Sequence, residues 1–106
     1  MRKKEERRLN VYMRFSEDYV MELTRKLRKD PDVETALHIL QWELGDLTKA
    51  CVRMKWHGED LRPAYKAEAK LALASLTFQA RVVASLLGIN FPEVMKLGET
   101  IVEERI

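Results

Sequence analysis

The sequence predicts an all-α fold: a bundle of about four helices that assembles with further copies of itself. Three observations carry that expectation. Apolar residues make up 46% of the 106 residues and charged ones 34%, with only 4 glycines and 3 prolines, so long stretches run free of helix breakers. Val33, Leu37, Leu40, Leu44, Leu47, Cys51 and Met54 recur at alternating spacings of four and three, a heptad seam. The stretch from Ala69 to Leu87 is apolar over so wide an arc that a short four-helix chain has little with which to cover it.

Each element has its own signals. Residues 1–15 read as a basic N-terminal arm, with Arg2, Lys3, Lys4, Arg7 and Arg8 interrupted by Glu5 and Glu6; that interruption suits a solvated tail better than a phosphate-binding arm. A single domain at 16–106 follows. Ser16 is a candidate N-cap, with Glu17 and Asp18 at the positive helix end and an apolar stripe of Tyr19, Val20, Leu23 and Leu27. Asp30-Pro31-Asp32 ends this helix and starts the next. The heptad helix is expected to reach Trp56 or His57, with Gly58 as a left-handed C-cap.

The third helix starts near Pro63 or Ala64 and ends at Gly88. One seam on it is Ala69, Leu73, Leu76, Ala80, Val83 and Leu87; another is Leu71, Ala74, Phe78, Val82 and Leu86. Asn90 caps the last helix, with Pro92 in its first turn and Glu93 behind, and Val94, Leu97, Ile101 and Val102 form its apolar side. The double seam on the third helix calls for a partner chain, most simply in a two-fold dimer.

Composition excludes several classes. A net charge of +2 is too small to point to nucleic acid. Cys51 is the only cysteine, so an intramolecular disulfide and CxxC metal spacing are both ruled out. No apolar run approaches the roughly 20 residues of a membrane span, and no hydrophobic signal-peptide core follows the N-terminus. The expectation is a cytoplasmic protein with no membrane partner. Gly-rich phosphate loops, serine triads and HExxH are missing too, leaving His38 without a partner at metal-ligand spacing.

The chemistry that remains centres on Glu43 and Asp46, one turn apart around Gly45. Two carboxylates at i and i+3 share a helix face and supply half of a hard-cation site. Plain surface acids, with Asp46 pairing Lys49, are the alternative. A mid-helix glycine costs about 1 kcal/mol relative to alanine, which suggests close approach of the next helix at Gly45.

Trp42-Glu43-Leu44-Gly45-Asp46-Leu47 resembles the Glu-Glu-x-Gly-Glu-Leu signature of MazG-type nucleotide pyrophosphohydrolases. Leu86-Leu87-Gly88-Ile89-Asn90-Phe91-Pro92-Glu93-Val94 resembles that family's Leu-Gly-Ile-Asp turn into its last helix. The resemblance spans about Phe15 to Glu104. It implies an all-α homodimer or homotetramer that hydrolyses nucleoside triphosphates between the α- and β-phosphates, releasing pyrophosphate. It also implies Mg²⁺ held by a Glu-Glu-x-x-Glu set on one helix and a Glu-x-x-Asp set on the next, where the metal bridges carboxylates to phosphates.

Carried over residue by residue, Glu43 and Asp46 match the second and third acids of the first set, with Asp for Glu at the latter. Trp42 stands where the first acid belongs. The second set falls on Ala72 and Ser75. Glu68 lies four residues before Ala72, about 6 Å along the axis, and is the candidate third metal ligand; a solvent-facing acid beside Lys66 and Lys70 is the alternative.

Candidate nucleotide-binding residues are Trp42 for base stacking, Lys55 and Arg62 for phosphates, and Ser75 for a hydrogen bond. Trp56 and His57 are further candidates for stacking and for phosphate contact. Helix-packing or interface roles are the more common reading for the tryptophans, and a solvated loop end is the stronger reading for Lys55, His57 and Arg62. Two functions follow: a divergent Mg²⁺-dependent nucleotide pyrophosphohydrolase with a reduced site, or a catalytically degenerate homologue used in nucleotide binding or assembly.

Overall fold

The computed structural model describes residues 17–28 and 31–106. Within them the chain is all-α: α1 Glu17–Leu27, α2 Val33–Trp56, α3 Arg62–Leu86 and α4 Phe91–Arg105, with no strand. The basic arm at 1–15 and the Ser16 cap lie outside the described residues. No single described helix is long and apolar enough to cross a membrane; the bent pair α3–α4 passes by length and composition alone.

The caps explain most of the boundaries. Asp32 accepts from the Thr35 backbone N–H at 2.8 Å and from its hydroxyl at 2.9 Å, satisfying an orphan donor at the α2 N-terminus. Asn90 does the same for the Glu93 N–H at 3.1 Å, with a proline in the first turn of α4. Gly88 ends α3 at φ +69°. There the Ile89 N–H reaches the Ala84 carbonyl at 2.8 Å and the Gly88 N–H reaches that of Ser85 at 3.1 Å, the paired bonds of a Schellman motif.

Gly58 departs from expectation. The only positive-φ residue described is Gly88. α2 instead ends on His57 in extended conformation, its N–H donating to the Arg53 carbonyl. The chain then turns through Leu61 N–H to Gly58 O (3.1 Å) and Arg62 N–H to Glu59 O (3.3 Å). That short turn satisfies the backbone without a left-handed residue.

The chain forms two compact units. One is Asp32–Ala80; the other takes α1 together with residues 81–106. In the second unit Val20, Val82 and Ala84 are buried, and Thr24, also buried, donates to the Val20 carbonyl at 2.8 Å. Leu27, placed in the α1 stripe, is exposed, and α4 has no buried residue.

In the first unit α2 and the N-terminal part of α3 form an antiparallel hairpin. Gln79 donates to the Ala36 carbonyl at 3.1 Å at one end, and Arg53 faces Glu68 at 3.7 Å at the other. The buried positions are Ala36, Ile39, Ala50, Ala72 and Gln79. This corrects the expected seam. Leu37 (40% exposed), Leu44 (52%) and Cys51 stay open, as does Leu73 on α3. The buried positions are three alanines, one isoleucine and one amide, and the heptad positions Leu37, Leu44 and Cys51 lie outside them. Gly45 is also corrected: apart from its own helix backbone and chain neighbours, no described atom lies within 4 Å of where its Cβ would stand, so no other described helix approaches it.

The two glycines give opposite expectations in urea denaturation. Gly45→Ala enters an open helical position and is expected to stabilise by about 0.5–1 kcal/mol. Gly88→Ala meets no crowding but forces a left-handed Ala, and is expected to destabilise by roughly 1–2 kcal/mol.

Candidate functional site

The hairpin has two unlike sides, and helical periodicity decides which residues fall on each. With 3.6 residues per turn, Asp46, Lys49 and Arg53 share the flank opposite Leu37, Leu44 and Cys51. Glu43 falls on the stripe of Ala36, Ile39 and Ala50, and is half-buried. On α3, Glu68 and Ser75 face the same way, on either side of buried Ala72.

These residues line one cleft of about 330 Å³. Glu43, Asp46, Lys49 and Arg53 come from α2; Glu68, Leu71 and Ser75 come from α3; Ala50 and Ala72 complete it. The two helices therefore bring Glu43, Asp46, Glu68 and Ser75 into one place. The cleft is not an acidic bowl, however. Three carboxylates share it with two cations, and the third acid has a cation beside it: Arg53 Nη1 lies 3.7 Å from Glu68 Oε2.

Arg53 is held on a second side. Its Cζ lies 5.8 Å from the Tyr65 ring centroid, within cation–π range, and Tyr65 in turn meets the His57 ring at 5.6 Å. Arg53 and Tyr65 were not among the residues that the sequence singled out. The signal was present, because Arg53 stands seven residues after Asp46 on one helix face, and the antiparallel hairpin brings Glu68 opposite.

The other candidates lie elsewhere. Lys55 and Arg62 come together at the loop end with Met54, His57 and Glu59, in a separate open pocket of about 480 Å³. Lys55 is nine residues beyond Asp46, roughly 13 Å along the helix. Trp42 is 69% and Trp56 77% exposed, and neither lines the cleft that holds Glu43 and Asp46.

Mg²⁺ prefers an octahedron of oxygens, with several waters and one or two carboxylates beside substrate phosphates. Among the described residues no group of three His, Cys, Asp or Glu side chains converges closely enough to hold a metal ion. Ala72 offers no side-chain donor, and Glu68 faces a guanidinium. The donor set thus does not match the five-acid set that the MazG resemblance implies, and it supports no chemical step that runs through a metal. Comparison of the chain with models of known families, with curated proteins and with solved structures returns no match.

The Arg53–Glu68 pair is partly open to solvent, at 39% and 53% side-chain exposure, so its contribution to folding is small. Arg53→Gln and Glu68→Gln are each expected to shift stability by less than about 1 kcal/mol in thermal and urea unfolding. A loss of several kcal/mol would mean that the pair holds the hairpin together.

Proposed function

We propose that this chain is a MazG-like all-α protein that binds nucleotides at the α2–α3 cleft without the metal set needed for the usual pyrophosphohydrolysis, and that it works as a homodimer or homotetramer. The observation that carries this reading is the composition of the cleft. Glu43 and Asp46 stand at the signature turn, but they face Ala72, Ser75 and a Glu68 paired with Arg53. Two carboxylates from one helical turn, with a guanidinium in place of opposing acids, make a weak divalent-cation site and a cradle suited to an anion with counter-charges.

A second reading has its own support. Glu43, Asp46 and Glu68 line one cleft without converging as a three-ligand set, and a reduced Mg²⁺-dependent nucleoside triphosphate pyrophosphohydrolase would have to draw its acids from them. The two readings separate in one assay. Pyrophosphate release is measured across common and modified nucleoside triphosphates with Mg²⁺ and Mn²⁺, for the native chain and Glu43→Gln. The expected outcome is nucleotide binding with no metal-dependent turnover. Metal-dependent turnover abolished by Glu43→Gln would instead establish the hydrolase.

Self-assembly is supported by the uncovered side of the hairpin. Leu37, Leu44 and Leu73 are 40–52% exposed, and Leu47, Ala69 and Leu73 line an open apolar groove of about 520 Å³. Apolar surface of this kind marks an interaction face, and a second copy presenting the same face closes it by two-fold symmetry. In sedimentation velocity the native chain is expected to run as a dimer or larger. Leu44→Glu with Leu73→Glu should leave a helical monomer; retention of the native mass would place the interface elsewhere.

A further inference from the structure

We propose that Arg53, with Lys49, is the phosphate anchor of the cleft, so that a polyphosphate chain is gripped by side-chain cations, with Glu68 acting as the counter-ion that the phosphate displaces. The proposal rests on the nucleotide reading above and names the groups that would hold the phosphates.

Three features of Arg53 support it. First, the guanidinium is positioned. It grows from a long helix, stands 3.7 Å from the Glu68 carboxylate and lies 5.8 Å from the Tyr65 ring centroid, so little further side-chain ordering is needed on binding. Second, it is available. A contact of 3.7 Å is longer than the roughly 2.7–2.9 Å of a charge-assisted hydrogen bond, so the guanidinium donors are not locked to Glu68. The side chain also remains 39% exposed. A planar fork in that state suits the oxygens of a phosphate.

Third, it has a helper. Lys49 lies one turn earlier and lines the same cleft; positions i and i+4 are about 5–6 Å apart at Cβ, so both cations reach one short polyanion. Asp46 stands one turn before Lys49, and Glu43 one turn before that, in the same cleft. Their charge repels phosphate, which confines it to the Lys49–Arg53 end.

Glu68 then takes a role opposite to that of a metal ligand. In the free chain it neutralises Arg53. A phosphate approaching the guanidinium competes with it, so its charge opposes binding. Removing that charge should help an anion, whereas removing a metal ligand should harm one bound through a metal.

The test is titration calorimetry of the full chain with inorganic tripolyphosphate in excess chelator, so that neither metal nor base takes part. Folding of every variant is checked by circular dichroism. The native chain is expected to bind, with affinity falling as salt rises. Arg53→Gln should weaken binding at least tenfold and Glu68→Gln should tighten it several-fold. A Lys55→Gln/Arg62→Gln double variant at the loop end should leave it unchanged.

Should Arg53→Gln fail to fold, Arg53→Lys serves instead. It keeps the charge, loses the fork and is expected to weaken binding several-fold. The proposal is overturned if the native chain does not bind, if the Arg53 variant binds normally, if Glu68→Gln weakens binding, or if the loss follows the loop-end variant. Tripolyphosphate binding that depends on Arg53, alongside no binding of any nucleotide in the panel, would uphold the anchor while rejecting the nucleotide reading.

Discussion

The rest of the hairpin depends on one contact: the Gln79 side chain donating to the Ala36 carbonyl, 43 residues away in sequence and buried. An amide in an apolar interface is costly unless it is bonded. Satisfying it ties the register of α3 to that of α2 at the end far from the turn. Ala36, Ala50 and Ala72 line the same contact and are almost wholly buried. Small residues let the backbones approach, and that approach puts the carbonyl within reach of the amide. With the register so fixed, Glu68 must face Arg53 at the turn end, and Glu43 and Asp46 must face the stretch around Ala72 and Ser75.

The same contact explains why the heptad seam is not the core. Periodicity reports which face of a helix is apolar; it does not report which face its own chain will cover. On α2 the apolar arc and the buried arc overlap only in part, so Leu40, Leu47 and Met54 are half-buried while Leu37 and Leu44 stay open. On α3 the stripe of Glu68, Ala72, Ser75 and Gln79 is the least apolar one. It is nevertheless the stripe that meets α2, because Ala72 and Gln79 allow closeness and a hydrogen bond, whereas Leu71 and Leu73 would hold the helices apart.

Local chemistry was therefore the most legible part of the sequence. The start of α2 after Pro31-Asp32, the Asn90 cap and the glycine stop at Gly88 depend on a few adjacent residues, and each is found in the structure. Gly58 failed because a glycine permits a left-handed turn without requiring one. Gly45 failed because a glycine permits close approach without supplying a neighbour. At the site, the helical spacing of Glu43 and Asp46 and the alignment of α3 were enough to bring four candidate residues to one cleft. Arg53 was missed because a charge in sequence does not show what it faces. Lys55 falls outside the cleft because nine residues of helix turn it to the face opposite Asp46, and it lines the loop-end pocket with Arg62.

Ala72 links the packing to the chemistry. It is buried at the helix contact, with 8% exposure, while also lining the cleft. A carboxylate at that position would be largely desolvated, which is expensive unless a cation sits beside it. A hairpin carrying such an acid would close fully only with its metal bound, as in sites where metal binding contributes to folding. Alanine removes that requirement: the helices approach on a methyl group, and Arg53 and Glu68 balance one another within the chain. The small residue that lets the helices approach at this point thus also leaves the cleft without a carboxylate opposite Glu43 and Asp46.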